Sequence, residues 1–170
     1  MTGRIGRFEI RRELGRGAQS VVHLAWDPQL EREVALKTLH LTAAERRDNA
    51  ALLGEARSVS RLRHAGIVPV FEAGEEGGDP YLVFEYVEGE TLAALMRRRG
   101  ALPAAEAVTL MLGVLTALAE AHGQGVIHRD LKPSNVLIDK GGRPRVMDFG
   151  IARRVDDAGA REGMSGTPGY

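Results

Sequence analysis

The sequence predicts an α+β fold of two lobes with a cleft between them. Three observations predict it. Residues 8–87 read mostly as short strands, residues 91–124 carry helical signals, and Gly89 lies near the join. Short links between the first strands suggest an antiparallel meander.

The elements follow in order. Phe8 to Leu14 is a strand ending in Gly15-Arg16-Gly17, and Ser20 to Trp26 resumes it with Val21, Val22 and Leu24. Asp27-Pro28 is turn chemistry, and Glu33 to Leu39 is a third strand. Thr42-Ala43-Ala44-Glu45 forms a capping box, in which the hydroxyl and the carboxylate satisfy orphan N–H groups. A helix is expected from there to about Arg63, with Leu52, Ala56, Val59 and Leu62 as its buried stripe. Ile67 to Phe71 and Tyr81 to Val87 are two more strands, with a turn over 74–80. Thr91 to Arg99 is a short helix, whose last-turn arginines suit the negative end of its dipole. Pro103 opens a long helix to about Gln124, stopped by Gly123 and Gly125. That helix is apolar on most faces and is expected to be central and buried.

Composition excludes several classes. Lys+Arg and Asp+Glu both number 23, so no whole-chain electrostatic case exists for nucleic acid or an anionic membrane surface. Cysteine is absent, which removes disulfides, thiolate metal sites and cysteine nucleophiles. No apolar run follows the basic residues at the N-terminus, and the stretch from Ala107 to Ala119 is shorter than the roughly 20 residues of a membrane span. No membrane segment is expected, and the expected compartment is cytoplasmic. Lysine occurs only at 37, 132 and 140, so a lysine here reads as a need for a compact ammonium.

Four stretches could carry chemistry. Gly15-x-Gly17-x-x-Ser20-x-Val22 is either a glycine-rich hairpin or a backbone cradle for phosphate oxygens. A strand follows it rather than a helix, which excludes a Rossmann turn. In Val34-Ala35-Leu36-Lys37, alternation puts Ala35 and Lys37 on one face. Glu55 falls inside the apolar stripe of its helix, where a carboxylate is costly unless a cation such as Lys37 meets it, or else it reaches water at the stripe's edge. His128-Arg129-Asp130-Leu131-Lys132-Pro133-Ser134-Asn135 gathers an acid, two cations and an amide, and Asp148-Phe149-Gly150 adds a carboxylate eighteen residues beyond Asp130. Asp and Asn oxygens beside phosphate oxygens are hard ligands of the kind Mg²⁺ accepts.

In order and in context, these motifs resemble the protein kinase signature set, ending at Gly166-Thr167-Pro168-Gly169-Tyr170. Lys132 points to the Ser/Thr branch, and Ser20 in place of a third glycine resembles bacterial eukaryotic-type kinases. The resemblance implies a kinase-like fold. A five-stranded antiparallel N-lobe with one helix would occupy 1–87, and an incomplete helical C-lobe 88–170. It implies ATP and Mg²⁺ as cofactors. Leu14, Gly15, Arg16, Gly17, Ala18, Gln19, Ser20, Val22, Ala35, Lys37, Phe84, Glu85, Val87 and Leu137 would bind the nucleotide. Among these, Leu14, Val22, Ala35 and Leu137 would sandwich adenine, Phe84 would be the gatekeeper, and Glu85 to Val87 the hinge. Lys37 would hold the α/β-phosphates and pair with Glu55, Asp130 would accept the substrate proton, and Lys132 would neutralise the transferring group. Asn135 and Asp148 would hold the metal.

Val59, Phe71, His128 and Phe149 would stack as a column between the lobes. A buried Arg129 would pair with a phosphate added at Ser165 or Thr167, or Thr167 would instead hydrogen-bond the catalytic Asp. Implied partners are proteins bearing Ser or Thr, with dimerisation for autophosphorylation. The family's helices beyond this tyrosine would cover apolar surface of the helix at 103–124, which is expected to be exposed here. Two functions follow from the sequence: a Ser/Thr protein kinase, or a nucleotide-binding or interaction module without phosphotransfer.

Overall fold

The structure, a computed structural model, describes residues 3–17, 19–42, 54 and 56–149. The first sheet contains β1 (Arg4–Ile5), β2 (Phe8–Arg16), β3 (Ser20–Asp27), β4 (Arg32–Leu39), β5 (Val70–Glu76) and β6 (Asp79–Glu85). Its order is β1-β2-β3-β4-β6-β5, and all its pairings are antiparallel. A second sheet joins β7 (Gly89–Thr91), β8 (Val136–Asp139) and β9 (Pro144–Val146). Helices α1 (Leu92–Arg99) and α2 (Ala104–Gly123) lie between β7 and β8, and a short 3₁₀ turn at Pro133–Asn135 leads into β8.

Period-two alternation divides the first sheet between two cores. Phe8, Ala25, Val34, Leu36, Tyr81 and Val83 close the outer face. Leu39, Leu82 and Phe84 point the other way, into a larger cluster with Val59, Val114, Val136 and Phe149. The sheet has six strands where five are expected. The extra one is β1, which turns at Gly6, φ 55°, so that Ile5 pairs with Phe8 and packs on the outer core. Arg7 beside that turn donates to both carboxylate oxygens of Asp27, at 3.1 and 3.2 Å, and meets Glu72 at 2.7 Å. Asp27 is fully buried, and the hydrogen bond from Arg7 holds its carboxyl below the usual range despite burial.

Several expected boundaries move. Helical backbone ends at 59 rather than near Arg63, while Ala56, Val59 and Leu62 are buried as the stripe requires. The capping box and Leu52 lie outside the described residues, apart from Thr42. Ile67 is not in the fifth strand: β5 starts at Val70, and Ile67 makes an isolated parallel bridge to Val146. The turn expected over 74–80 narrows to Gly77-Gly78, because Gly74 to Glu76 pair with Asp79 to Tyr81. The expected strand to Val87 ends at Glu85.

Helix α1 follows expectation, with Thr91 Oγ1 accepting from Ala94 N at 3.1 Å as its cap. Helix α2 is only partly central. Leu110, Val114, Ala117 and Ala121 are buried, but Val108, Met111, Leu112 and Leu115 are exposed on its other side.

Candidate active site

The cleft between the two sheets has a volume of about 500 Å³. Its roof comes from β2, β3 and β4. Val22 lies opposite Lys37, and Ala35 lies opposite Phe84, so alternation delivers these four side chains to one face. Register shifts in β2, between Ile10 and Arg12 and between Glu13 and Gly15, interrupt simple alternation there. Arg12, Leu14 and Gly15 all line the cleft as a result. Glu85, Val87 and Gly89 form the back, and Leu137 and Met147 the floor.

The close packing of the second sheet explains one glycine. A Cβ on Gly89 would sit 2.0 Å from the Ile138 carbonyl oxygen, so no other residue fits β7 at that point.

At the deep end, Lys37 crosses the gap. Its ammonium lies 2.9 Å from Asp148 Oδ2, and Lys37 is 7% exposed. Asp148 has φ 60°, a left-handed conformation that costs a non-glycine residue roughly 1 kcal/mol or more. Alongside lies a second constellation. Lys132 Nζ is 2.8 Å from Asp130 Oδ2, and Asn135 Nδ2 donates to the same oxygen at 3.1 Å and to the Asp130 carbonyl at 2.8 Å. Burial pushes the Asp130 carboxyl up, but the hydrogen bond and charge of Lys132, with Asn135 and His128, outweigh it and hold the group below its ordinary value.

Backbone hydrogen bonds join the two constellations. Met147 N donates to the Asn135 carbonyl at 3.0 Å. His128 is 2% exposed; its Nδ1 accepts from Asp130 N at 3.3 Å, so its Nε2 carries the proton given to the Met147 carbonyl at 2.8 Å. The same ring packs at a tilt against Phe149, with centroids 4.7 Å apart and an interplanar angle of 49°. The loop holding Asp130 and the segment holding Asp148 are therefore one braced unit.

The structure gathers Leu14, Gly15, Val22, Ala35, Lys37, Phe84, Glu85, Val87, Leu137 and Asp148 around one cavity. Asp130, Lys132 and Asn135 are grouped beside Asp148 by the bonds just described. Gly17, Gln19 and Ser20 lie at the tip of the β2–β3 hairpin beyond that lining. Gly17 N donates to the Ser20 carbonyl at 2.8 Å, and His40 N to the Gln19 carbonyl at 2.9 Å. Arg16 points away and pairs with Glu13 at 2.6 Å. Ala18, Glu55, Ser165 and Thr167 lie outside the described residues.

Two expectations are corrected. Phe71 is not in the interlobe column: it sits at the irregularity between Val70 and Glu72, is 40% exposed, and stacks under the Arg32 guanidinium at 3.8 Å. The extra residue in β5 turns Phe71 outward, and Val70 joins Val59 and Phe149 in the core instead. Arg129 is exposed rather than buried, with φ 64°.

Sequence reasoning missed Arg12, Val68, Gly89, Glu90, Thr91, Ala94 and Met147 as lining residues. Met147 could have been inferred from its place beside Asp148. The others depend on bulges and long-range pairing that leave no local signal.

The family profile described as "Protein kinase domain" matches residues 8–170. The chain is 40% identical over 181 residues to a probable serine/threonine-protein kinase, PknB, of Bifidobacterium longum, covering 97% of this chain and 26% of that protein. It is 43% identical over 153 residues to serine/threonine-protein kinase PksC of Streptomyces coelicolor, covering 85% and 28%. With serine/threonine-protein kinase PrkC of Bacillus subtilis it shares 43% over 150 residues, covering 86% and 23%. The chain thus spans about a quarter of the length of these curated relatives. A crystal structure of the PknI kinase domain of Mycobacterium tuberculosis superposes with a TM-score of 0.81 at 30% identity, covering 89% of this chain and 61% of that one.

Proposed function

The chain belongs to the protein kinase domain family, and on that premise we propose that it is the catalytic region of a serine/threonine protein kinase. The reaction is transfer of the γ-phosphoryl group of ATP to a Ser or Thr hydroxyl of a protein. One observation carries this reading: an interlobe Lys37–Asp148 pair lines a nucleotide-sized cleft, and a Lys132–Asp130–Asn135 group is braced to the Asp148 segment through His128 and Met147.

The residues divide the work as the chemistry demands. Ala35, Val22 and Leu14 above, and Leu137 below, offer apolar surface to a flat base, while the Glu85–Val87 backbone offers donors and acceptors to its edge. Lys37 supplies a desolvated cation for the α/β-phosphates. Asp130, ionised at neutral pH, accepts the proton of the attacking hydroxyl as its oxygen bonds to the γ-phosphorus. The bond from that phosphorus to the bridging oxygen breaks, and ADP leaves. Lys132, already against Asp130, places positive charge where the transferring phosphoryl oxygens carry their negative charge.

The donor set suits Mg²⁺. Asp148 offers a carboxylate and Asn135 an amide oxygen, both hard ligands. When bound, Mg²⁺ would neutralise phosphate charge and orient the γ-phosphoryl group. Asp148 and Asn135 would hold it, and Lys37 fixes the Asp148 carboxylate in advance. We further propose a cytoplasmic setting and self-association for autophosphorylation, both supported by the kinase reading alone.

The test is incubation with labelled ATP, Mg²⁺ and a generic basic protein, with Asp130→Asn as control. Incorporation by wild type and not by the variant is expected. Equal incorporation by both removes Asp130 from the chemistry. A soluble wild type that binds ATP without transferring phosphate would instead be a nucleotide-binding module.

A further inference from the structure

Arg145 on β9 is absent from every role given above, yet its guanidinium ties three segments together. Its NH2 donates to Glu85 Oε2 at 2.7 Å and to the Ile67 carbonyl at 3.4 Å, and its NH1 reaches Glu85 Oε1 at 3.5 Å. The Arg145 side chain is only 14% exposed, and its Nε is buried without a partner among the described residues. Leaving a donor unsatisfied is costly, so the arginine is not placed there by packing economy alone.

Its location connects it to the base-binding half of the cleft. Arg145 lies directly across the ladder from Leu137, the floor residue, and so shares its face. Glu85 ends β6 and begins the back wall, with its N–H donating to the Pro69 carbonyl at 3.2 Å. The neighbouring backbone is stitched as well: Val146 N donates to the Gly66 carbonyl at 2.7 Å, and Val68 N to the Val146 carbonyl at 2.8 Å. The floor, the back wall and the 66–68 connection therefore meet at one cation.

Resting on the kinase reading, we infer that Arg145 is a positioning residue that fixes the Glu85–Val87 backbone relative to Leu137 and so sets affinity for the adenine half of the nucleotide. It does so through the Glu85 carboxylate and touches no reacting atom. The phosphate half is built from other parts, Lys37 and Asp148, and does not depend on it.

That division gives the test. Binding of adenosine and of inorganic tripolyphosphate with Mg²⁺ is measured on the chain by calorimetry. Arg145→Met is expected to weaken adenosine about tenfold and tripolyphosphate less than twofold, and Arg145→Lys to recover part of the loss. Glu85→Gln should lose as much as Arg145→Met, and the double variant no more than either, because both break one contact. Unchanged adenosine affinity in a folded Arg145→Met overturns the inference. So does equal weakening of both ligands, the mark of a merely structural role, or multiplying losses in the double variant. If Arg145→Met does not fold, Arg145→Lys and Glu85→Gln carry the same comparison. A wild type that binds neither adenosine nor ADP defeats the kinase reading itself, before any variant is made.

Discussion

Two ammonium–carboxylate pairs stand side by side in this molecule, and they are built differently. Lys37 and Asp148 join the two lobes, with side chains 9% and 21% exposed. Lys132 and Asp130 belong to one loop and are 52% and 39% exposed. A pair removed from water is rigid and expensive to break from one side, because the survivor is left as a lone charge. A pair in water contributes about 0–1 kcal/mol and exchanges partners readily. The first pair is suited to holding lobes and metal ligand in place. The second is suited to the proposed chemistry, in which Asp130 would take a proton and Lys132 would turn to a phosphoryl group.

Variants can break or sharpen this contrast. The largest effect is expected from Asp130→Asn, which removes the proposed proton acceptor: phosphotransfer should fall by at least about 10²-fold, while the melting temperature stays near wild type. A large stability loss would mean the exposed pair is structural after all. Lys37→Met should abolish detectable turnover and also cost about 1–3 kcal/mol in denaturant unfolding, since Asp148 loses its counter-charge. Unfolding at wild-type denaturant concentration would erase the distinction between the pairs. Gly89→Ala tests the floor on which both depend. Its methyl group would collide with the Ile138 carbonyl, so β7–β8 pairing should weaken and stability drop by about 1–3 kcal/mol.

The smallest effect is on pH. Lys132 helps hold the Asp130 carboxyl low, so it is the ionised form that the site favours. Activity should persist as pH falls through the ordinary carboxylate range, and the acidic limb of kcat/KM should lie below it. Lys132→Ala removes the favourable hydrogen bond and charge and leaves the burial, so that limb should move to higher pH. A limb that stays in place would separate Asp130 from Lys132.

Much of this site was legible because short-range pattern governs it. Strand alternation put Ala35 and Lys37 on one face, and turn-and-loop chemistry marked residues 128–135, where an acid, an amide and cations serve no bland purpose. The fifth strand starts later than its pattern predicts because Ile67 and Val68 are as apolar as strand residues, but Val68 N donates to the Val146 carbonyl and Ile67 N to the His64 carbonyl rather than into the first sheet. Phe71 was misread because a single inserted residue reverses facing without altering composition. The apolar breadth of α2 correctly marked a helix but not which side would be covered, since hydropathy reports what a face prefers and not what meets it. The Arg145–Glu85 contact joins residues sixty positions apart and had no local signature at all.

The left-handed backbone at Asp148 and Arg129 has a consequence for any effort to harden this molecule. Both are side-chain-bearing residues in a region that glycine enters freely, so the chain stores tension beside its chemistry. Glycine at 148 would release that tension and discard the carboxylate in the same stroke. The lone Lys37 charge left behind would cost more than that relief returns, so relaxing this backbone would weaken the molecule as well as silence it.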